Sequence, residues 1–335
     1  MNITIDDGPG KAVAHIYNSA VAASAISAAW ELGALDELSE RGALDANEFA
    51  TSRRLDVPST LGMFRALAAV DVVERDHAKV VPAVNFAEVY RTRAFFHWLA
   101  RGSAELFRQM PAVLRTENRV GDFYQRDPTA IAFACREIST FCYDPWFWEA
   151  VDGLDFDFTV VADLGCGSGE RVMQILRHYP GMRGLGIDIA RPSLEAAAAE
   201  ARNAGLADHV TFLEADVRTM MQRPEFAEIG LLTCFMMGHD FWPRQRCVNT
   251  LRHLRELFPN VRRFLLGDAT RTVGVSDRDL PVFTLGFELA HDMMGIFMPT
   301  VADWESVFEE GGWRLRHKYW INITVGEVIF ELEHL

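Results

Sequence analysis

Residues Thr159–Arg171 read TVVADLGCGSGER. An apolar run ends in Asp163, and Gly165, Gly167 and Gly169 then alternate with single residues ahead of a segment with helical character. Glycine lets the backbone bend sharply and lets a ligand approach the main chain more closely than a Cβ atom would allow. The stretch therefore predicts a buried strand, a tight glycine turn and the first turn of a helix, with a nucleotide-like ligand at the turn.

Size and composition define the broad class of the protein. The chain has 335 residues, enough for about two domains, and its 49% hydrophobic and 24% charged residues are typical of globular proteins. A formal net charge of −14 argues against nucleic acid or an anionic membrane as partner. The five cysteines form no CxxC pair, which predicts reduced thiols. Since the N-terminus has no signal-peptide pattern and no apolar run has membrane-spanning length, we expect a cytoplasmic protein.

The first 150 residues have a mainly helical pattern. A helical pattern interrupted at Gly33 runs from Lys11 to about Leu38. Further helices are predicted at Ala46–Arg53 and Ser59–Val70, followed by a hairpin of Val72–Glu74 and Lys79–Pro82. This order is typical of a winged helix, but the helix that would read DNA carries only Arg65 as a cation. We therefore interpret residues 1–150 as a dimerisation domain whose aromatic-rich part, residues 86–150, packs helices together and helps to cover a substrate.

Strands and helices alternate in the remainder, residues 151–335. Strands are predicted at Thr159–Asp163, Gly184–Asp188, Val210–Glu214, Ile229–Phe235 and Arg263–Asp268. Helices are predicted between them at Glu170–His178, Ser193–Ala204, Val217–Gln222 and Arg244–Phe258. Such alternation implies an α/β fold with a parallel sheet covered on both faces. Two final strands, Trp313–Trp320 and Ile323–Glu333, have no helix between them, so we expect them to pair antiparallel at one edge.

Acidic residues end three successive predicted strands. Asp163 precedes the glycine turn, Asp188 closes the second strand, and Asp216 follows the third. At the shared carboxyl edge of these strands, one carboxylate can accept both ribose hydroxyls and another the adenine amino group. The spacing is GxGxG rather than GxGxxG, and a cationic sulfonium suits this acidic edge better than a pyrophosphate. We therefore predict S-adenosylmethionine as cofactor, bound by Asp163, Gly165, Gly167, Gly169, Asp188, Ile189, Asp216, Val217 and Phe235.

This pattern resembles the class I methyltransferases, and an N-terminal winged-helix dimerisation domain is typical of one large group of small-molecule enzymes among them. The resemblance implies a homodimer and a Rossmann-like sheet of order 3-2-1-4-5-7-6, in which the seventh strand is antiparallel. In O-methyltransferases of this group, an HDW-like motif after the fourth strand supplies a general-base histidine. His239 and Asp240, in the segment CFMMGHDFWP, occupy that place.

A second His-Asp pair, His291 and Asp292, lies in the segment GFELAHDMMGIFMPT. The O-methyltransferases need no histidine there, and their partner acid and arginine-rich turn are replaced here by MMGIFMPT. Two histidines on separate segments that face the methyl donor can instead hold one iron or zinc ion. Asp268, at the end of the fifth predicted strand, is a candidate partner in the outer shell of such a site.

Four segments closely resemble the metal-dependent α-keto acid C-methyltransferases of the phenylpyruvate C3-methyltransferase type, which are found in nonribosomal peptide biosynthesis. The segments are FYQRD (Phe123–Asp127), CFMMGHDFWP (Cys234–Pro243), RRFLLGDATRTVG (Arg262–Gly274) and GFELAHDMMG (Gly286–Gly295). The resemblance implies that His239 and His291 hold non-heme iron. It also implies that Arg126 meets the substrate carboxylate and that Trp98 lines the substrate pocket.

The reaction that this resemblance implies is methylation of the β-carbon of a 2-oxo acid, which supplies a β-methyl amino acid precursor. That carbon is nucleophilic only as an enol or enolate, and a metal chelated by the substrate's carboxylate and 2-oxo oxygens would acidify it as a Lewis acid. The general base is left open between a metal-bound hydroxide, Asp240 and substrate enolised in solution. Apolar residues predicted to line the pocket favour a branched aliphatic or aromatic side chain; they are Trp98, Phe123, Met236, Met237, Phe287, Ile296 and Met298.

Two other functions stay open at the level of sequence. One is a metal-independent O-methyltransferase of a phenolic or hydroxylated small molecule, with His239 as general base. The other is a catalytically silent winged-helix regulator that binds a ligand, against which the sparse positive charge of the first domain argues.

Overall fold

The computed structural model describes residues 9–321 and 327–335, and the chain divides into two compact units, Met1–Phe141 and Cys142–Leu335. We expected the boundary at residue 150. The division lies nine residues earlier, so the whole of the helix Asp144–Asp152 belongs to the second unit. The reason is packing, because the rings of Tyr143 and Phe147 each lie 5.4 Å from the ring of Phe235.

The first unit is mostly helical, as predicted. Its helices are α1 (Pro9–Glu31), α2 (Ala34–Arg41), α3 (Ala46–Ser52), α4 (Val57–Ala68), α5 (Phe86–His97), α6 (Ala104–Arg108), α7 (Met110–Val113) and α8 (Pro128–Ile138). Its strands are β1 (Leu44–Asp45), β2 (Val73–Asp76) and β3 (Lys79–Pro82). They form an antiparallel sheet of order β1-β3-β2, so the predicted hairpin gains a short third strand.

The helical pattern over Lys11–Leu38 forms two helices, α1 and α2, which are divided at Gly33 as the sequence predicts. Gly33 has a φ of 77° and separates α1 from α2, because this left-handed conformation ends the helical hydrogen-bonding pattern. Helices α3 and α4 begin after Asp45 and Asp56. Both aspartate side chains accept hydrogen bonds from backbone N–H groups of the first turn, which stabilises these two starts.

The second unit is the α/β part of the chain. Its helices are α9 (Asp144–Asp152), α10 (Glu170–His178), α11 (Arg191–Asn203), α12 (Arg244–Leu257), α13 (Thr284–Met294) and α14 (Val301–Phe308). Its strands are β4 (Val160–Leu164), β5 (Arg183–Asp188), β6 (Val210–Glu214), β7 (Leu231–Phe235), β8 (Arg263–Asp268), β9 (Trp313–Trp320) and β10 (Val328–His334).

A seven-stranded sheet in the order β6-β5-β4-β7-β8-β10-β9 organises this unit. Strands β4 to β8 pair in parallel, and β10 is antiparallel to both of its neighbours. Counted within this sheet the order is 3-2-1-4-5-7-6, the order that the resemblance implies. Strands β4 and β8 are buried at every position, as their apolar runs predict. The carboxyl ends of the five parallel strands share one edge, which is where a ligand of such a sheet binds.

Three local predictions need correction or completion. Residues Val217–Gln222 form no helix; the N–H groups of Thr219 and Met220 donate to the carbonyl of Asp216 and close a single turn. Helix α13 was not predicted, although it carries His291. The first residues of the predicted strand Ile323–Glu333 lie outside the described residues, and β10 begins at Val328. Within residues 9–321 and 327–335, no helix is both long and apolar enough to cross a membrane.

Candidate active site

The glycine turn connects β4 to α10 through three residues with positive φ: Gly165 (68°), Gly167 (51°) and Gly169 (74°). A Cβ on Gly165 would lie 3.0 Å from the side chain of Met237. A Cβ on Gly169 would lie 2.7 Å from the ring of Phe212 on β6. The first and third glycines thus allow close packing, whereas nothing lies within 4 Å of a Cβ on Gly167.

We expect Gly169→Ala to lower the free energy of unfolding by about 2–5 kcal/mol, because it adds overpacking against a rigid ring to the cost of a positive φ. The matched variant Gly167→Ala carries only the backbone cost of about 1–2 kcal/mol, since its Cβ meets open space. Chemical denaturation of the two variants measures the difference. Equal destabilisation would contradict the packing role of the third glycine.

A cavity of about 120 Å³ lies at the carboxyl edge of the sheet, beside the glycine turn. It brings together residues that were predicted separately for the cofactor, the substrate pocket and catalysis. Its lining residues are Gly165, Asp188, Ile189, Ala215, Asp216, Val217, Arg218, Met237 and Asp240. Three aspartates and one arginine give the lining a net negative charge, which favours a cationic ligand.

Two of these aspartates are held in place by hydrogen bonds. The Asp188 carboxylate accepts from the N–H groups of Gly167 and Ala190, both at 2.8 Å, and so links β5 to the glycine turn. The Asp216 carboxylate accepts from the backbone N–H and the guanidinium of Arg218, at 2.7–3.2 Å. These bonds to Arg218 lower the pKa of Asp216 below its ordinary value. Sequence reasoning missed Arg218, whose only signal was its position two residues after Asp216.

Asp163 lies buried at the end of β4, beneath the glycine turn, and its Oδ1 accepts a hydrogen bond from Thr233 Oγ1 at 2.7 Å. Burial raises its pKa to about 6, against an ordinary value of 3.8, although the Thr233 bond and the charge of Arg171 act in the opposite direction. Asp163 therefore carries a desolvation cost when it is ionised at neutral pH.

We expect Asp163→Asn to raise the free energy of unfolding near pH 7.5 by up to about 3 kcal/mol. The amide keeps an oxygen for the Thr233 bond and carries no charge to desolvate. The pKa of Asp163 is higher in the folded than in the unfolded chain, so its contribution to stability is greatest below about pH 4 and is lost as the pH rises through about 6. The advantage of the variant should therefore vanish near pH 4. Asp216→Asn is the control, and we expect it to lower the free energy of unfolding at neutral pH. The pKa of Asp216 is lowered in the folded chain, so the ionised carboxylate stabilises the fold at neutral pH, and the amide loses that contribution.

Two buried histidines lie near each other beyond β7 and on α13. His239 is in a short 3₁₀ turn, Gly238–Phe241, and its ring centre lies 5.2 Å from that of His291, with the two rings at 89°. His239 Nδ1 lies 2.8 Å from Asp268 Oδ1, and His291 Nδ1 lies 2.7 Å from the carbonyl oxygen of Phe287. A carboxylate and a carbonyl oxygen can only accept, so both Nδ1 atoms carry the hydrogen of these bonds.

Asp268, which orients His239, is fully buried at the end of β8. Its Oδ1 also accepts from the N–H of Ala269 at 2.9 Å. Its Oδ2 is buried and accepts no hydrogen bond from the part of the chain that the structure describes. Gly238 approaches this oxygen so closely that a Cβ there would lie 2.9 Å from it.

The other predicted residues of the second unit surround these groups. Phe287 packs its ring 4.0 Å from the ring of His291, and Met237 lines the cavity. Met236, with a φ of 55°, accepts a hydrogen bond from Tyr143 Oη through its sulfur at 2.7 Å. Ile296 closes the end of α13 by donating its N–H to the carbonyl of His291. Tyr143 belongs to the aromatic-rich residues 86–150, but the sequence predicted no specific role for it.

Phe235 was predicted to contact the cofactor. Its ring stands over Gly267, where a Cβ would come within 2.3 Å, and the guanidinium of Arg171 lies 4.9 Å from its centre. Phe235 is not among the residues that line the cavity. Its contact with the cofactor stays a prediction.

Comparison with known proteins identifies the family. The sequence profile of a family described as "Methyltransferase domain" matches residues 161–258, which begin in β4 and include the glycine turn. The methyltransferase ungE' of Aspergillus campestris (strain IBT 28561) is 49% identical over 334 residues, covering 97% of this chain and 98% of that protein. The chain belongs to the class I S-adenosylmethionine-dependent methyltransferases.

More distant similarities are to a C-methyltransferase and to an O-methyltransferase. The indolepyruvate C-methyltransferase of Streptomyces griseus is 26% identical over 162 residues, 47% of each chain. The structure of the mitomycin 7-O-methyltransferase MmcR is similar with a TM-score of 0.72, at 20% identity and with 97% of both chains covered. At that identity the similarity concerns the fold alone.

Three predicted site residues belong to the first unit of the methyltransferase. Trp98 is buried at the start of a wide helical turn, Trp98–Gly102. Phe123 is half-buried, with the guanidinium of Arg119 4.9 Å from its ring centre. Arg126 is half-buried in the segment before α8. Their roles toward the substrate stay predictions.

Proposed function

We propose that the methyltransferase transfers a methyl group from S-adenosylmethionine to the β-carbon of a 2-oxo acid, at a site where His239 and His291 hold a metal ion. The observation that carries this proposal is the pair of buried imidazoles whose ring centres lie 5.2 Å apart, each of which donates its Nδ1–H to an oxygen atom. An O-methyltransferase base needs one such ring. The similarity to an indolepyruvate C-methyltransferase adds support.

The residues present fit a metal ion in three respects. A ring separation of 5.2 Å suits two imidazoles that share one ion at Zn–N or similar distances of about 2.1 Å. Metal-bound histidines usually donate their other N–H to a carboxylate or a carbonyl, as both do here. The buried Oδ2 of Asp268 adds negative charge beside His239. Among the described residues no group of three or more His, Cys, Asp or Glu could hold an ion.

When bound, iron, or alternatively zinc, supplies Lewis-acid chemistry that eases loss of the proton from the β-carbon of a 2-oxo acid. The chain's own residues hold the two substrates. We assign Asp188 and Asp216, which line one cavity, to the donor's adenosine, and the negative lining would attract its sulfonium charge. We assign Arg126 to the substrate carboxylate, through charge-assisted hydrogen bonds. Asp240 also lines the donor cavity and is a candidate base.

In the proposed reaction the β-carbon loses a proton and forms a bond to the donor's methyl carbon as the S–CH₃ bond breaks. The products are S-adenosylhomocysteine and a β-methyl 2-oxo acid, which transamination converts to a β-methyl amino acid for nonribosomal peptide synthesis. The side chains proposed to line the pocket, among them Trp98, Phe123 and Phe287, are aromatic. They favour an aromatic or branched aliphatic 2-oxo acid.

The test is a panel of aromatic and branched aliphatic 2-oxo acids with S-adenosylmethionine and Fe(II), the products being read by mass and NMR. We expect a gain of one methyl group on the β-carbon and one equivalent of S-adenosylhomocysteine. Elemental analysis of the purified protein is expected to show bound metal. A methylated hydroxyl instead of a methylated carbon would contradict the proposal.

A metal-independent O-methyltransferase is the second candidate, and the His239–Asp268 pair favours it specifically. A histidine that donates Nδ1–H to a buried carboxylate at 2.8 Å is oriented to accept a proton at Nε2. This candidate leaves the proximity of His291 unexplained. It expects no metal in the purified protein and full activity in the presence of a chelator.

We also propose that the methyltransferase is a homodimer. Val13, Ile16, Tyr17 and Val21 are exposed on α1, and their spacing places them on one face of that helix. A contiguous apolar helix face of this kind favours a second copy of the chain as its partner. Light scattering tests the mass, and Ile16→Glu is expected to shift it toward the monomer.

A further inference from the structure

We infer that Arg271 is a positioning residue that fixes helix α13, and with it His291, relative to His239. The inference rests on the proposed function, because it concerns the spacing of the two imidazoles. Neither the glycine turn nor the acidic cavity requires this arginine, which lies three residues after the end of β8.

The segment after β8 is anchored close to its first residue. Asp268 Oδ1 accepts from His239 Nδ1 and from the N–H of Ala269. The N–H of Arg271 donates to the carbonyl of Pro299 at 2.9 Å. Three residues of chain span at most roughly 11 Å. The segment from Asp268 to Arg271 is therefore short, and it is fixed at one end by His239 and at the other by the contacts of Arg271.

The guanidinium of Arg271 binds two carboxylates of α13. Its Nη1 lies 3.4 Å from Glu288 Oε2 and 3.3 Å from Asp292 Oδ2, and its Nη2 donates to Asp292 Oδ1. The adjoining N–H of Thr272 donates to Glu288 Oε1 at 2.7 Å. We call these contacts among Arg271, Thr272, Glu288 and Asp292 the arginine clamp.

The clamp acts on the turn of α13 that carries His291. Glu288 and Asp292 are four residues apart and therefore share one face of the helix, with His291 directly before Asp292. One planar guanidinium that holds both carboxylates restrains the rotation of the helix as well as its distance from the β8 segment. One hydrogen bond joins His239 to Asp268 and others join Arg271 to the helix of His291, and the three-residue backbone from Asp268 to Arg271 connects the two sets. The Asp of the second His-Asp pair thus holds the helix, whereas its neighbour His291 faces His239.

The experiment compares Arg271→Ala and Arg271→Lys with Arg244→Ala in the full chain. Arg244 is the matched control, since it joins α12 to α14, rather than the β8 segment to α13, through Glu310 Oε2 at 2.7 Å and the carbonyl of Ser306. Hydrogen–deuterium exchange of α13 is measured in metal-free protein, and the affinity for Zn²⁺ by competition with a chelating dye. S-adenosylmethionine affinity is measured by calorimetry.

For Arg271→Ala we expect faster exchange over residues 288–294 and Zn²⁺ binding weakened about tenfold, the lower end of the range for outer-shell partners. The affinity for S-adenosylmethionine should change less than twofold. Arg271→Lys is expected to recover only part of the loss, because an ammonium group does not bridge two carboxylates as a guanidinium does. Arg244→Ala should leave both readouts unchanged.

Unchanged exchange of α13 in Arg271→Ala would overturn the inference, as would wild-type Zn²⁺ affinity in a variant whose exchange has risen. A wild-type protein that binds neither Zn²⁺ nor Fe²⁺ would instead refute the two-histidine part of the proposed function. In that case the exchange rates of α13 still decide whether Arg271 holds the helix.

Discussion

His291→Ala is expected to lose bound metal and C-methylation together while it retains S-adenosylmethionine. The substitution removes one of the two imidazoles, and the donor cavity is lined by other residues at the ends of β4, β5 and β6. We expect kcat for a 2-oxo acid to fall by at least roughly 10³-fold, since the Lewis-acid contribution to such a step amounts to several kcal/mol. His239→Ala should behave in the same way.

The measurements for the histidine variants are metal content per chain, calorimetric binding of S-adenosylmethionine, and product formation by mass. His253→Ala is the matched control, because His253 is a half-buried histidine on α12 whose Nε2 contacts the carbonyl of Met220. We expect it to keep both metal and activity. Full C-methylation by metal-stripped His291→Ala would refute the proposed role of the pair.

The parallel part of the sheet could be predicted from the sequence because its strands are short, mainly apolar runs that alternate with helical segments. Strands β6, β8 and β9 and helix α10 have the predicted bounds to the residue. The errors occurred where no such pattern exists. Helix α13 follows a long polar segment and carries histidine and acidic residues among its apolar ones, so its periodicity was not recognised. Gly33, by contrast, is a recognisable interruption, and its φ of 77° divides the first helical stretch where the sequence predicts.

The candidate site was predictable where topology alone brings residues together. Asp188 ends β5 and Asp216 follows the neighbouring parallel strand β6. The carboxyl ends of parallel strands lie at one edge of the sheet, which is why both residues line the same cavity. Contacts that depend on side-chain direction were not predictable. Arg218 bonds to Asp216, and Tyr143 reaches Met236 across 93 residues of sequence. The clamp at Arg271 belongs to this second class, because it needs a helix that the sequence pattern did not indicate.

Asp268→Asn separates the two candidate functions. The amide keeps an oxygen that can accept from His239 Nδ1 and from the N–H of Ala269, so the orientation of the imidazole is largely preserved. What the substitution removes is the negative charge beside the ring. Asp155→Asn is the matched control, because Asp155 is an exposed carboxylate bound to Arg263 and far in sequence from both histidines.

If His239 and His291 hold a metal ion, Asp268→Asn should weaken metal binding by about 10–100-fold, the usual cost of changing an outer-shell partner. Activity would then be low at limiting Fe(II) and would return toward the wild-type value as Fe(II) is raised. If His239 is instead the general base of an O-methyltransferase, the lost charge no longer stabilises the imidazolium, and kcat falls by as much as roughly 10⁴-fold. Added metal cannot restore that loss, because it does not replace the charge that the protonated ring requires. The dependence of kcat on Fe(II) in this one variant therefore distinguishes a ring that binds metal from a ring that takes a proton.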